Sequence, residues 1–171
     1  YLTADNGCTA EGTPTGTFSE LLFQNGFPPL TMEQQLEKLE DFGGLDAWGG
    51  PHLANHYSVG WSYASSTPFQ WTKQIASHFG GVMSATAIRY PTAIEARGEW
   101  RRQFQNVTDI VPTILEAAGL PEPYMVNGVA QKPLEGVSIV YTFDDADAED
   151  RHITQYFEMF GNRGIYYDGW F

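Results

Sequence analysis

The sequence predicts an α/β fold: part of a sheet flanked by helices, followed by a small antiparallel C-terminal hairpin unit. Three observations predict it. A strand-forming lead-in, Tyr1-Leu2-Thr3-Ala4, runs into Asp5-Asn6-Gly7, as a buried parallel strand ends when its tip carries a site. Two segments, beginning at Thr31 and at Asp109, combine helical periodicity with start and stop signals. Aromatic and β-branched runs at 153–160 and 164–171 flank a glycine turn and read as a hairpin. Strand, helices, second strand and terminal hairpin together give a sheet with a smaller antiparallel unit behind it.

At the strand tip, Asp5 offers a charged oxygen and Asn6 a neutral one, both hard donors suited to a calcium or magnesium ion. Gly7 supplies the turn that lets adjacent ligands converge. The same three residues also make an ordinary turn without any ion. The run 8–16, Cys-Thr-Ala-Glu-Gly-Thr-Pro-Thr-Gly, is a polar loop leaving that tip. A short semi-regular piece spans 17–22, and Asn25-Gly26 with Pro28-Pro29 breaks any helix there. Thr31 opens a helix with a capping box to Gln34. Met32, Leu36 and Leu39 recur on its buried face, and Gly43-Gly44 stop it.

The stretch 46–69 carries clustered tryptophan and tyrosine without a sustained period and reads as a long ordered loop, of the kind that covers pockets. His52, His56, Tyr57 and Trp61 are its candidate substrate contacts, although for each alone packing within the loop is the commoner role of such a side chain. Lys73 stands among apolar and polar neighbours ahead of Gly80-Gly81, where a lysine can hold an anionic oxygen as a point charge. Residues 85–90 read as a strand ending at Pro91. Asp109 caps the second helix, with Ile110, Ile114, Leu115 and Ala118 as its buried face, Pro112 in its first turn, and Gly119 and Pro121 ending it. A Pro-rich loop (120–135), a short apolar element (136–143) and an acidic loop without calcium-loop spacing (144–150) lead into the hairpin. Its turn is placed at Gly161-Asn162.

Nine Lys and Arg against twenty-one Asp and Glu give a formal charge of −12. No basic stripe exists to track nucleic acid, and an anionic membrane is an equally poor partner. The single cysteine, Cys8, excludes an internal disulfide and a multi-thiolate metal site. No apolar run is long enough to span a bilayer. The chain opens inside an expected strand and closes on Trp170-Phe171, so it is expected to be a fragment that folds poorly alone.

Four segments, taken in order, resemble one family. They are the tip 1–12; the region 55–81 with Asn-His-Tyr, Gly-Trp, Thr-Pro-Phe-Gln-Trp-Thr-Lys and Ser-His-Phe-Gly-Gly; the helix 107–119; and the terminal hairpin 155–170. The chain resembles the C-terminal part of an arylsulfatase of the type I, formylglycine-dependent family, within the alkaline-phosphatase-like superfamily. The resemblance implies that residues 1–135 are the C-terminal portion of the sulfatase α/β domain, with its alkaline-phosphatase-like sheet, and that 136–171 begin the smaller antiparallel subdomain. It implies Asp5 and Asn6 as two ligands of a divalent cation, usually Ca2+, and Lys73 as the lysine that binds the sulfate group. Substrates would be small-molecule or carbohydrate sulfate esters, and a periplasmic or secreted location fits the family. The family's nucleophile is a hydrated formylglycine made from a Cys or Ser in a Cys/Ser-x-Pro-x-Arg motif. Cys8 is not it, because Ala10 stands in place of the proline and Gly12 in place of the arginine. The formylglycine is therefore expected outside this chain, and the isolated fragment is expected to be inactive. His78 carries no assigned role, and Asn106 stands where many relatives have histidine.

Two alternatives remain open on the sequence. One is a phosphatase or phosphodiesterase of the same superfamily, which would use a histidine-rich two-metal site. The other is a non-catalytic carbohydrate-binding module built on the aromatic loop.

Overall fold

A computed structural model describes all residues from Tyr1 to Phe171 as a mixture of helix and small antiparallel sheets, compatible with an α/β fold. The chain divides into two units. The first holds Tyr1–Asp5, Ala85–Phe157 and Gly164–Phe171, and the second holds Asn6–Ser84 and Glu158–Arg163. No helix is long and apolar enough to cross a membrane.

In the first unit the N-terminal strand β1 (Leu2–Thr3) pairs antiparallel with β2 (Thr86–Ala87), Leu2 opposite Ala87 and Thr3 opposite Thr86. The Thr3 and Thr86 hydroxyls share a hydrogen bond at 2.7 Å. The expected buried parallel strand is thus corrected to a two-residue antiparallel pair with Leu2 exposed. Strand-forming residues identified a strand but could not specify its partner. The expected strand at 85–90 shrinks to β2 for the same reason.

The helix α5 (Ile110–Ala117) is entered through a 3-10 turn at Val107–Asp109, and the capping box is made by Asn106 with Asp109. Its end is a Schellman motif: Leu120 N–H donates to Leu115 O, and Gly119 takes φ 66°. The buried face is Asp109 and Thr113, whereas Ile114 and Ala118 are exposed. Polar groups anchor this face. The Thr113 hydroxyl donates to Asp109 O at 2.6 Å and accepts from Ile139 N–H at 3.1 Å. The Asp109 carboxylate, with no exposed surface, accepts from Asn106 N–H, from Val137 N–H and from His152 Nδ1. Around this hub, Phe104 stacks on Tyr166 with centroids 3.8 Å apart, and Ile139 and Phe143 complete the core. A buried carboxylate met only by donors satisfies the rule that interior polar groups are paired.

Strands β3 (Met125–Val126) and β4 (Val129–Ala130) form a tight hairpin over Asn127-Gly128, both with positive φ. The terminal strands β5 (Thr154–Met159) and β6 (Asn162–Tyr167) pair as expected. Their turn is Phe160-Gly161, one residue earlier than expected, with φ of 50° and 80°.

In the second unit α1 (Glu20–Gln24) is followed by α2 (Met32–Glu40), whose Thr31–Gln34 capping box is formed in both directions. The buried side of α2 is Gln35 and Leu39, while Met32 and Leu36 are about half exposed. Gln35 takes the inner position because its amide satisfies loop backbone. Oε1 accepts from Phe18 N–H at 3.0 Å and Nε2 donates to Gly16 O at 3.1 Å. The segment expected to be a long loop, 46–69, is entered through a 3-10 turn at Gly44–Ala47 and contains the helix α3 (Val59–Ser66). That helix escaped detection because its buried positions, one turn apart, are Ser62 and Ser66 rather than apolar residues. A last short helix, α4 (Phe79–Val82), carries the double glycine, both members buried.

Candidate functional site

Lys73 lies in the second unit in a connection between α3 and α4. Its backbone N–H donates to Cys8 O at 2.8 Å, and the Ser62 hydroxyl of α3 donates to the same carbonyl at 3.1 Å. The loop behind Asn6-Gly7 is thereby fixed against the segment that carries the lysine. Gly7 strengthens that junction in a way the sequence did not convey. Its N–H donates to Gly81 O at 3.0 Å, and a Cβ at Gly7 would collide with the Gly80 carbonyl. The glycine is required for close backbone approach; its φ is not in the left-handed region.

The Lys73 ammonium donates to Glu11 Oε2 at 2.9 Å, with the lysine side chain 34% exposed and the glutamate 25%. Glu11 is held on other sides too. The Thr9 hydroxyl donates to Oε2 at 2.8 Å and Gln74 Nε2 donates to Oε1 at 2.8 Å. The hydrogen bond from Lys73 and then that from Thr9 hold the Glu11 carboxyl below the usual glutamate value. Trp71 and Gln74, on either side of Lys73, adopt φ of 67° and 78°. Left-handed conformations at non-glycine residues cost about 1–3 kcal/mol each and gather at functional sites. Here the Gln74 strain is tied down by its bond to Glu11 and by Asn162 Nδ2, which donates to Gln74 O at 3.3 Å.

Asp5 and Asn6 follow β1 in a bend, Asp5 exposed and Asn6 half-buried. Asp5 belongs to the first unit, Asn6 and Lys73 to the second. Of the aromatic-region candidates, His52, Tyr57 and Trp61 are exposed, and His56 is buried. His56 is stitched to Thr17 by reciprocal backbone hydrogen bonds at 2.9 and 2.8 Å, and its Nδ1 lies 2.8 Å from Tyr57 O. His78 opens α4, its Nδ1 2.9 Å from the Ser77 hydroxyl and its ring against Trp71. Asn106 is a helix cap of the first unit. The residue that sequence reasoning missed is Glu11. It lies 62 positions from Lys73 in a polar loop, where no local pattern marks one acid as special.

No family model matches the chain. It is similar to a protein of Schizosaccharomyces pombe described as an uncharacterized sulfatase, with 31% identity over 121 residues. The match covers 70% of this chain and 19% of the relative, so the chain spans about a fifth of that protein's length. The similarity supports a sulfatase-like hydrolase.

Proposed function

We propose that the chain supplies part of the active site of a sulfuric ester hydrolase of the formylglycine-dependent arylsulfatase type, with Lys73 binding the sulfate group. The observation that carries this reading is the Lys73–Glu11 pair, held by Cys8 O, Thr9 and Gln74 and flanked by two strained residues, in a chain similar to a sulfatase.

The salt bridge aims the ammonium, so the charge is organised before substrate arrives.

Asp5 and Asn6 are assigned to a divalent cation, most readily Ca2+. They are hard oxygen donors, one charged and one neutral, on a bend whose Asp5 is exposed. When bound, the ion supplies Lewis-acid neutralisation of ester oxygens. The formylglycine nucleophile belongs to sequence outside this chain, which alone is inactive. Residues 1–135 belong to the sulfatase α/β domain on its alkaline-phosphatase-like sheet, and 136–171 begin the antiparallel subdomain. A small-molecule or carbohydrate sulfate ester is the substrate, and a periplasmic or secreted location accompanies that activity.

The test is hydrolysis of an aryl sulfate by the full protein, beside the matching aryl phosphate. Lys73→Ala is expected to lower kcat/KM for the sulfate by about 10²–10³-fold, the cost of losing one preorganised charge donor. Faster turnover of the phosphate, or a Lys73→Ala protein as active as its parent, overturns the reading.

A further inference from the structure

His56 is the residue that the reading above leaves unused. It is buried to 8% exposure, and its Nε2 is fully enclosed with no hydrogen-bond partner. Its other ring nitrogen, Nδ1, is 2.8 Å from Tyr57 O. A carbonyl can only accept, so in the neutral imidazole Nδ1 carries the proton and Nε2 presents a bare lone pair. An interior acceptor without a donor costs about 1–3 kcal/mol. The same arrangement, with one imidazole nitrogen donating to a backbone carbonyl and the other open, is how metal-ligating histidines are oriented.

Two carboxylates converge on this histidine. One ligand atom each from Glu11, Glu20 and His56 lie within 4.8 Å of one another. Three separate loop contacts bring them there. The Thr17–His56 backbone pairing positions the imidazole, Glu20 N–H donates to Ala54 O at 2.8 Å, and Thr9, Lys73 and Gln74 fix Glu11. The Glu20 side chain makes no hydrogen bond or ion pair of its own, and it is half-buried beside a second acid. Of the two acids gathered with this imidazole, Glu11 is paired with Lys73, whereas Glu20 has no cation beside it.

We propose that Glu11, Glu20 and His56 form a site for one divalent transition-metal ion of the zinc type, distinct from the Ca2+ assignment at Asp5 and Asn6. The imidazole decides the class of ion. Calcium and magnesium take oxygen ligands, whereas nitrogen with two carboxylates suits zinc and its neighbours. A tetrahedral ion with bonds of about 2.1 Å sets its ligands about 3.4 Å apart. Closing from within 4.8 Å needs a side-chain rotation, and the unbonded Glu20 carboxylate is able to make it. Glu11 can serve because each carboxylate oxygen has two lone pairs and Oε1 spends one on Gln74. The bound ion joins the loop at 11, the start of α1 and the segment before α3, which makes it a structural clamp.

The test is metal binding, independent of hydrolysis. Full-length protein stripped with chelator and then dialysed against excess Ca2+ is titrated with Co2+ and read by visible d–d absorption, with Zn2+ content measured by elemental analysis. One equivalent of Co2+ giving a protein-specific band, displaced by Zn2+, is expected. Changes in the surroundings of metal ligands cost about 10–100-fold in affinity, so His56→Gln and Glu20→Gln, which remove ligands, are expected to weaken binding by at least that factor. Glu37→Gln, at an exposed position of α2, is expected to keep the band. Should His56→Gln fail to fold, Glu20→Gln at its half-buried position carries the test. No band in the native protein, or an unchanged band in Glu20→Gln, overturns the proposal.

Discussion

Replacing Asp109 with alanine removes the one group on which three donors of the first unit converge. Asn106 N–H reaches Oδ2 at 2.8 Å, Val137 N–H reaches Oδ1 at 2.7 Å, and His152 Nδ1 lies 2.9 Å from both oxygens. The carboxylate has no exposed surface and the imidazole very little. Each stranded donor costs about 1–3 kcal/mol. Asn106 and Val137 are half-buried, so water relieves part of their loss, whereas His152 stays enclosed. The total is therefore expected near the 3–5 kcal/mol typical of breaking a buried pair, rather than at the sum of three full penalties. In a domain of this size that lowers Tm by about 6–20 °C.

The assay is urea unfolding followed by tryptophan fluorescence, with a double-mutant cycle through His152→Ala. A coupling of about 0.5–3 kcal/mol between the two positions is expected. Asp109→Asn keeps the volume but turns an amide donor toward donors, so it should fall between native and Asp109→Ala. A loss under about 1 kcal/mol for Asp109→Ala, at unchanged m-value, would refute the view that this carboxylate organises the unit.

Two further outcomes test the packing. Gly7→Ala drives a methyl into the Gly80 carbonyl and should cost about 1–3 kcal/mol as overpacking; a melting curve matching the native one would show that the close approach is not needed. Burial raises the Tyr166 hydroxyl above the ordinary tyrosine value of 10.0. A folded-state pKa above the unfolded one means that the contribution is complete below pH 10 and is lost as pH rises through the folded value. Stability measured from neutral to strongly alkaline pH should therefore fall above pH 10, and fall less in Tyr166→Phe; parallel curves for the two proteins would contradict the assignment.

Local signals were read correctly where the chain itself makes the partner. The Thr31–Gln34 box, the Gly119 stop and the terminal hairpin each join segments that are neighbours in sequence, so the sequence contains both halves of the interaction. Asn127-Gly128 belongs with them: an Asn-Gly pair between Val126 and Val129 signals a hairpin, yet the surrounding prolines draw the reading toward loop. The buried faces of α2 and α5 were misjudged for the opposite reason. Gln35 and Thr113 are inside because distant backbone groups, Gly16 O, Phe18 N–H and Ile139 N–H, need their side chains. A hydrophobic pattern cannot announce a polar residue recruited from elsewhere. Lys73 was legible as a candidate, but its partner was not, since that partnership is made only when loops far apart in sequence meet.

Glu11 then gains a meaning beyond its salt bridge, because it is shared by both proposed sites. Glu11 and Glu20 against Lys73 leave this corner of the second unit with one net negative charge when His56 is neutral, an unfavourable setting for an anionic ester. A divalent ion on Glu11, Glu20 and His56 turns that into one net positive charge and fixes the carboxylate that aims the ammonium. The attraction that Lys73 exerts on a sulfate oxygen is then no longer offset by its own partner. Metal occupancy of one group of side chains would set the anion affinity of the next, through a single residue that touches both.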